Sequence, residues 1–352
     1  MKRNLWHCIA LLFTLTLAVF GLTGALSAQA ADLTWSLPTD LSATGRDAYE
    51  QQIALSADGS RAIAVWYRYN DNYNAIIQTA SATISGKTAT WGPVADLSAT
   101  GQDAAAPQIG LSADGSRATA VWKRSNGSVN IIQTASATIS GNTATWGAVA
   151  DLSATGRNAD VPQIGLSADG TKATAVWSRF NGSNQIVQTA SATVSGNTTT
   201  WGTVADLTAT GLSANAPQLG LSADGSRATA VWLRSNGSNN IIQAASALIS
   251  GNTATWGTVA DLSATGRNAS APQLGLSTDG SRATAVWYRN DGSNTIIQTA
   301  SATVSGNTAS WGTVFDLSAT GQNANGPQLG LSADGSRAAA VWYRFNGSNW
   351  FV

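Results

Sequence analysis

The chain has 352 residues, only 11% of them charged, and its 19 basic side chains balance its 19 acidic ones. Phosphate backbones are bound through clustered Lys and Arg, and the chain has no basic run, so we expect no nucleic-acid partner. Its single Cys, His and Met are Cys8, His7 and Met1. Beyond these positions the sequence excludes disulfides, His- or Cys-based nucleophiles and the usual zinc ligands.

The first 30 residues have the organisation of a secretory signal. Lys2 and Arg3 precede the uncharged run from Ile9 to Phe20, and Ala28-Gln29-Ala30 matches an A-x-A cleavage site. The run is shorter than the about 20 residues that cross a bilayer. We predict cleavage after Ala30, a secreted or periplasmic protein, and no membrane insertion after cleavage. A retained membrane anchor is the alternative.

A 55-residue repeat fills residues 31–352, and two series of Trp residues mark it. One series contains Trp91, Trp146, Trp201, Trp256 and Trp311. The other contains Trp122, Trp177, Trp232, Trp287 and Trp342. Trp35 and Trp66 begin these series one residue out of step, because the turn after Trp66 has one extra residue.

The second copy of the repeat predicts four strands in chain order. The predicted strands are Pro107 to Ser112, Arg117 to Arg124, Asn130 to Ser140, and Thr143 to Leu152. Asn126-Gly127 between the second and third strands is a strong hairpin signal, because both residues tolerate positive φ. No stretch has the 3.6-residue periodicity and caps of a helix. The sequence therefore predicts an all-β protein.

Four short strands joined by hairpins at a fixed period are typical of a propeller blade. Five complete units lie between two partial ones: Leu33 to Leu37 matches a fourth strand, and Asn349 to Val352 matches the start of a third. We predict that residues 31–352 form a six-bladed β-propeller of four-stranded antiparallel blades. Pairing of the N-terminal strand with the C-terminal blade would close it and leave no sheet edge open. An open array or a truncated product is the alternative.

One hairpin motif carries a family resemblance. Ser-Ala-Asp-Gly-Ser-Arg followed by Ala-Val-Trp, or a close variant, begins at Ser56, Ser112, Ser167, Ser222, Ser277 and Ser332. It resembles the Asp-Gly hairpins of TolB-like propeller repeats. It is also similar to the Asp-box hairpin of sialidase-type propellers, which has one more residue between Asp and Gly. Bacterial secreted repeat proteins of generally unassigned function have similar repeats over nearly all of residues 32–352. The resemblance implies a fold but no single function, because propellers host many activities.

Two sets of Asp residues recur in every unit. Asp96, Asp151, Asp206, Asp261 and Asp316 precede the connection to the next unit, where we expect them to bind backbone amides. Asp58, Asp114, Asp169, Asp224, Asp279 and Asp334 lie in the tight Asp-Gly turns. A calcium site needs several converging oxygen ligands, and each turn has one carboxylate. We predict no metal and no cofactor.

Tyr49 and Glu50 break the repeat, and we take them as the replacement for a small residue followed by Pro, as in Ala106-Pro107. A Tyr–Glu pair resembles the nucleophile of sialidases. The other carboxylates recur as turn residues do, and no nucleophile-base constellation with His is possible. We predict no catalytic residues, with a glycosidase as the less favoured alternative.

The copies differ mainly in the connection between units and at the end of the second strand. In a four-stranded meander both segments emerge on one rim, and exposed aromatic clusters often mark binding surfaces. The predicted binding rim comprises Tyr49, Tyr67, Tyr69, Tyr73, Tyr288, Tyr343 and Phe345. Arg68, Arg289 and Arg344 join it, each following its Trp (Trp66, Trp287 and Trp342) by two residues on the same sheet face.

These residues predict a secreted, non-enzymatic binding module with a glycan or protein ligand at the variable rim. A Trp ring with an Arg donor suits a sugar, and several weak sites would add through avidity. A scaffold for protein interactions is the alternative function. Packing offers an alternative for the side chains themselves, since Trp dominates core energetics and Arg stems cover apolar surface.

Overall fold

The computed structural model describes residues 36–209 and 211–352, and every regular element in these ranges is a β-strand. The strands form six successive antiparallel sheets, one for each repeat. Pro38–Val352 belong to one compact unit. In the described ranges no helix is long and apolar enough to span a membrane.

The strands follow the repeat. The first sheet contains β1 (Ala48–Leu55), β2 (Arg61–Tyr69), β3 (Ala75–Ser85), β4 (Thr88–Trp91) and β5 (Ala95–Asp96). The second contains β6 (Ala104–Leu111), β7 (Arg117–Ser125), β8 (Asn130–Ser140), β9 (Thr143–Trp146) and β10 (Ala150–Asp151). The third contains β11 (Ala159–Leu166), β12 (Lys172–Phe180), β13 (Gln185–Ser195), β14 (Thr198–Trp201) and β15 (Ala205–Asp206). The fourth contains β16 (Ala214–Leu221), β17 (Arg227–Ser235), β18 (Asn240–Ser250), β19 (Thr253–Trp256) and β20 (Ala260–Asp261). The fifth contains β21 (Ala269–Leu276), β22 (Arg282–Asn290), β23 (Thr295–Ser305), β24 (Thr308–Trp311) and β25 (Phe315–Asp316). The sixth contains β26 (Ala324–Leu331), β27 (Ala338–Phe345) and β28 (Trp350–Phe351).

The fourth strand of each complete sheet is made of two short segments. In the second sheet β9 and β10 both pair with β8, and Gly147 begins the interruption between them. A Cβ on Gly147 would lie 1.9 Å from the carbonyl oxygen of Asn197 in the next sheet. The predicted continuous strand from Thr143 to Leu152 is therefore interrupted where the neighbouring backbone approaches.

The first strand starts three residues before its predicted beginning at Pro107. In β6 Ala105 pairs with Lys123 and Gln108 with Val121, so the register shifts between them. Ala106 lies inside this bulge at a φ of 52°. The predicted start at Pro107 is therefore wrong, because the strand continues through the bulge back to Ala104. The third strand is confirmed at its predicted bounds, Asn130–Ser140.

Successive sheets pack face to face and share one repeated backbone hydrogen bond. The N–H of Ala113 donates to the carbonyl of Ala168 at 2.7 Å, and the equivalent bond joins all five pairs of neighbouring sheets. Between the second and third sheets, Val121 and Ile132 pack against Trp177, and these three side chains are fully buried. The packing alternative for the second Trp series is the correct one in the interior sheets, because Trp122, Trp177, Trp232 and Trp287 are fully buried.

Small residues let the sheets approach closely. Ala118 and Ala120 of β7 are fully buried against their neighbours. A Cβ on Gly165 would lie only 2.6 Å from the Cβ of Leu221 in the next sheet. The Ala, Gly and Ser positions of the repeat therefore set the spacing at which the Trp and Val side chains interlock.

The two ends of the array differ from its interior. Among the described residues β28 pairs with β27 alone, and no ladder joins the sixth sheet to the first. Ile53 of β1 is 62% exposed. The all-β fold of antiparallel four-stranded sheets is confirmed and is consistent with a β-propeller, but the structure shows five such sheets and a partial sixth. Residues 1–35, which include the predicted signal peptide and most of the proposed closing strand, lie outside the described ranges.

Candidate functional site

The Asp-Gly turns are self-contained hydrogen-bonded units. In the first, the Ser56 hydroxyl donates to the Asp58 carboxylate at 2.7 Å and accepts the N–H of Arg61 at 2.9 Å. The Ser60 N–H also donates to Asp58, at 2.9 Å. The Ser56 hydroxyl, with further donors from Ser60, lowers the pKa of Asp58 to about 2. These carboxylates are occupied by their own turns.

The second Asp series binds side-chain amides, so its predicted role with backbone amides is wrong. In the third sheet the Trp177 indole N–H donates to the Gln188 side-chain oxygen at 3.2 Å, and the Gln188 amide donates to Asp206 at 2.7 Å. A hydroxyl binds the backbone next to this connection instead: Ser153 accepts the N–H of Ile132 at 2.8 Å. Sequence reasoning missed this Ser.

The Trp members of the predicted rim are unsuited to stacking on a ligand. Trp287 is buried between sheets, Trp66 is buried on the outer face of the first sheet, and Trp342 in the partial sixth sheet is half-buried. Trp66 and Trp287 also donate their indole N–H groups to Gln side chains at 3.2 Å. The prediction that Trp66 and Trp287 stack on a sugar beside an Arg is therefore wrong. Their rings are buried, and their indole N–H groups already donate to Gln side chains.

The Arg members of the rim are half-buried. Arg68 donates to the carbonyls of Ala43 and Thr44 at 3.2 and 3.4 Å, so it holds the connection that leads into β1. Arg289 and Arg344 occupy the same strand position with the same partial burial. At Arg68 the guanidinium therefore faces backbone carbonyls.

The rim aromatics form separate groups. In the first sheet the Tyr49 and Tyr67 rings lie 5.6 Å apart and the Tyr67 and Tyr69 rings 5.8 Å apart. In the sixth sheet Phe345 contacts Trp350 at 5.4 Å. Among the described residues no ring contact joins these two groups, and Tyr288 and Tyr343 belong to neither contact set. The single rim, which requires the first and last sheets to be neighbours, stays a prediction.

One polar pocket lies at the first sheet. It has a volume of about 400 Å³ and is lined by Gly45, Arg46, Asp47, Tyr69 and Tyr73; we call it the tyrosine pocket. The Arg46 guanidinium lies 4.6 Å from the centre of the Tyr73 ring, and its Nε lies 3.6 Å from Asp71. The pocket lining thus combines two aromatic rings, a guanidinium and the Asp47 carboxylate, and Asp71 lies outside the lining against Arg46.

The extra residue after Trp66 builds this pocket. It lengthens the turn so that the Asn70 N–H donates to the carbonyl of Asn74 at 2.9 Å, with Tyr73 at a φ of 59°. In the second repeat the shorter turn closes from Asn126 to Val129. Sequence reasoning selected Tyr69 and Tyr73 but did not select Arg46 and Asp47. The irregular spacing after Trp66 was the signal that could have found them.

Two further tyrosines of the first sheet, Tyr49 and Tyr67, have raised pKa values. Asp47 raises the pKa of Tyr49, and burial raises the pKa of Tyr67. Glu50 instead links two sheets, because its Oε2 accepts the N–H of Ala106 at 2.6 Å. The two residues of the Tyr–Glu pair therefore have different partners, Asp47 for Tyr49 and the Ala106 backbone for Glu50. In the described part of the chain, no three His, Cys, Asp or Glu side chains converge as a metal site.

No protein-family model and no curated protein matches the chain. Three solved structures illustrate the similar folds. The NanB sialidase from Streptococcus pneumoniae aligns with a TM-score of 0.47 at 9% identity, covering 84% of this chain and 65% of that one. An endo-arabinase from Bacteroides thetaiotaomicron has a TM-score of 0.38 at 11% identity, covering 70% and 90%. An α-L-arabinofuranosidase from Fusarium graminearum has a TM-score of 0.42 at 12% identity, covering 77% and 93%.

These similarities correct the functional expectation. All three proteins are named as glycosidases, which contradicts the prediction of a non-enzymatic binding module. At this identity the likeness concerns the fold alone, and the chain spans less than two thirds of the sialidase. The likeness to TolB-like repeats stays a prediction.

Proposed function

We propose that the chain acts on carbohydrate and that the tyrosine pocket is its saccharide site. The convergence of Arg46, Asp47, Tyr69 and Tyr73 around one cavity supports this proposal. A volume of about 400 Å³ lies within the range of about 300–1,000 Å³ typical of small-molecule sites.

The lining chemistry suits a sugar ring. The faces of Tyr69 and Tyr73 would pack against its C–H groups, while the Arg46 guanidinium would donate to hydroxyl or carboxylate oxygens. The Tyr73 ring and Asp71 hold Arg46 before any ligand arrives. Prior orientation of this kind reduces the entropy lost on binding.

Two carboxylates supply the groups that glycoside hydrolysis requires. In most glycosidases one carboxyl group protonates the leaving oxygen while the other acts as base or nucleophile. Asp47 lies in the pocket lining and Asp71 lies against Arg46. In this proposal they are the pair that flanks the scissile bond.

The N-terminal segment fits such an activity. We propose that residues 1–30 direct secretion, so that the pocket meets polysaccharide outside the cytoplasm. The mass of the chain recovered from the culture medium or periplasm would then correspond to a first residue of Ala31.

The repeat itself provides variants that preserve the fold. Asn158, Asn268 and Asn323 stand where the first repeat has Asp47, and Ser125 and Ser235 stand where it has Tyr69. Hydrolysis of a panel of chromogenic glycosides and of soluble polysaccharides should fall by about 10²-fold or more in D47N, because its carboxylate is lost. Y69S should mainly raise KM. The matched changes D103N and F180S in other repeats should leave both parameters unchanged.

Two results would overturn the proposal. One is that the wild-type chain neither binds nor hydrolyses any saccharide in the panel. The other is that D47N and D103N behave alike, which would place the reaction elsewhere.

A further inference from the structure

The interior sheets are joined by a repeated contact between a pair of apolar side chains and a socket. From the second sheet, Val121 and Ile132 enter a socket lined by Leu152 of the connection and by Ala159, Ala175, Trp177 and Trp201 of the third sheet. The equivalent pairs are Val65 and Ile77, Val176 and Val187, Val231 and Ile242, and Val286 and Ile297. All ten side chains are at most 1% exposed, so each pair is completely covered by the next sheet.

The first sheet has the same socket, but among the described residues no apolar pair from another sheet enters it. Leu41, Ala48, Ala64, Trp66 and Trp91 occupy the equivalent positions, and we call them the open socket. They line a cavity of about 410 Å³ on the outer face of the sheet. Ile53, whose equivalents pack between the interior sheets, lies at its margin and is exposed.

The sixth sheet presents the matching pair. Phe351 pairs with Arg344 as Ile76 pairs with Arg68, so Val352 has the register position of Ile77. Val341 has the position of Val65. We call Val341 and Val352 the free valine pair; they are 55% and 81% exposed.

Polar groups at the two ends are complementary as well. Each interior junction has the Ala113-type bond, in which one Asp-Gly hairpin donates its N–H to the next. At the ends, the Ala57 carbonyl of the first sheet and the Ala333 N–H of the sixth sheet do not take part in a bond of this type with any described residue. The Lys123–Asp160 ion pair at 3.0 Å shows which side chains meet across a junction. Tyr343 has the repeat position of Lys123, and Tyr49 has that of Asp160. At a junction of the sixth sheet with a first sheet, these two half-exposed aromatic side chains would therefore face each other.

We propose that the sixth sheet of one copy packs on the first sheet of a second copy, with the free valine pair in the open socket. Continuity with the five junctions inside the chain supports this partner, because the donor and the receptor are built from the same residues. Ile53 at the socket margin and the free valine pair are exposed, and no pair from another described sheet enters the open socket. Such head-to-tail contacts generate rings or filaments. This inference goes beyond the proposed function and does not depend on it.

Two charge variants of the full chain test the contact. I53E marks the socket and V341E the valine pair, and both alter side chains that are exposed in one copy. Sedimentation velocity should show wild-type chain above the 36.0 kDa monomer mass, increasing with concentration. Each variant alone should sediment as a monomer. An equimolar mixture should yield a one-to-one dimer, because one intact socket and one intact valine pair remain. T155E, on an exposed interior loop, should associate as the wild type does.

Wild-type chain that remains monomeric up to its solubility limit would overturn the proposal and indicate closure of one copy on itself. Association that survives in both I53E and V341E would also overturn it, because the contact would then lie elsewhere. The dimer formed on mixing shows that both variants are folded.

Discussion

The interior sheets and the end sheets have nearly the same sequence but different environments. Trp177 in the third sheet is fully buried, whereas Trp342 at the same position of the sixth sheet is half-buried. Val176 is fully buried, whereas Val341 is largely exposed. These side chains are therefore buried only where a neighbouring sheet covers them, as expected for repeats that cannot cover their apolar faces alone.

The turns show the opposite behaviour. The Ser112 hydroxyl donates to Asp114 at 2.6 Å in an interior sheet, and the Ser332 hydroxyl donates to Asp334 at 2.6 Å in the last one. These bonds are made within a few residues and do not require a neighbouring sheet. The chain thus combines local polar turns that are alike everywhere with apolar contacts that depend on position.

The largest difference between interior and end should come from the Trp residues. Truncation of a buried aromatic side chain costs about 3–5 kcal/mol, because transfer and cavity costs add. We expect W177A to lose an amount in this range and W342A to lose less than half of it, since Trp342 is only partly covered. Urea unfolding followed by circular dichroism measures both. Equal losses would show that the sixth sheet is packed as fully as the third.

The sequence predicted the elements better than their junctions. The third strand is correct to the residue because Asn130–Ser140 lies between two turn signals and pairs along its whole length. The fourth strand was predicted as continuous because nothing in its own sequence marks the approach of Asn197 to Gly147. The bulge at Ala106 was similarly missed, since its cause is pairing with another strand.

The candidate site was predictable only in part, for a similar reason. Tyr69 and Tyr73 were found because aromatic residues break the repeat. Arg46 and Asp47 were not selected, because they join those rings only through the lengthened turn after Trp66. Trp66 and Trp287 were predicted as surface residues because each shares a strand face with an Arg two residues later. This pattern does not distinguish a face that meets solvent from one that packs on another sheet.

A smaller difference should appear at the glycines of the interrupted fourth strand. A Cβ on Gly147 would meet the Asn197 backbone, whereas a Cβ on Gly312 meets only the Ser301 carbonyl, at 3.5 Å. Overpacking of this kind costs about 1–3 kcal/mol. We expect G147A to fall in this range and G312A to stay close to the wild type in the same urea measurement. A loss in G312A as large as in G147A would mean that a further sheet covers this site.

The smallest effect should be an acid dependence that is equal in the interior and at the end. Hydrogen bonds from Ser112 and Ser116 lower the pKa of Asp114 to about 2, from an ordinary value of 3.8. Those from Ser332 and Ser336 also lower the pKa of Asp334. A carboxylate whose pKa is lower in the folded chain stabilises it above the unfolded value and loses that contribution as the pH falls through the folded one. The wild-type chain should therefore lose stability between about pH 4 and pH 2.

D114N and D334N separate the local turn from its surroundings. Each removes one titrating carboxylate, so each should flatten the fall in thermal midpoint between pH 4 and pH 2 by a similar amount. The reason is that both turns are closed by their own Ser hydroxyls and backbone N–H groups. A much larger change in D114N would mean that the neighbouring sheet contributes to the Asp-Gly turn. The turns would then depend on position as the Trp contacts do.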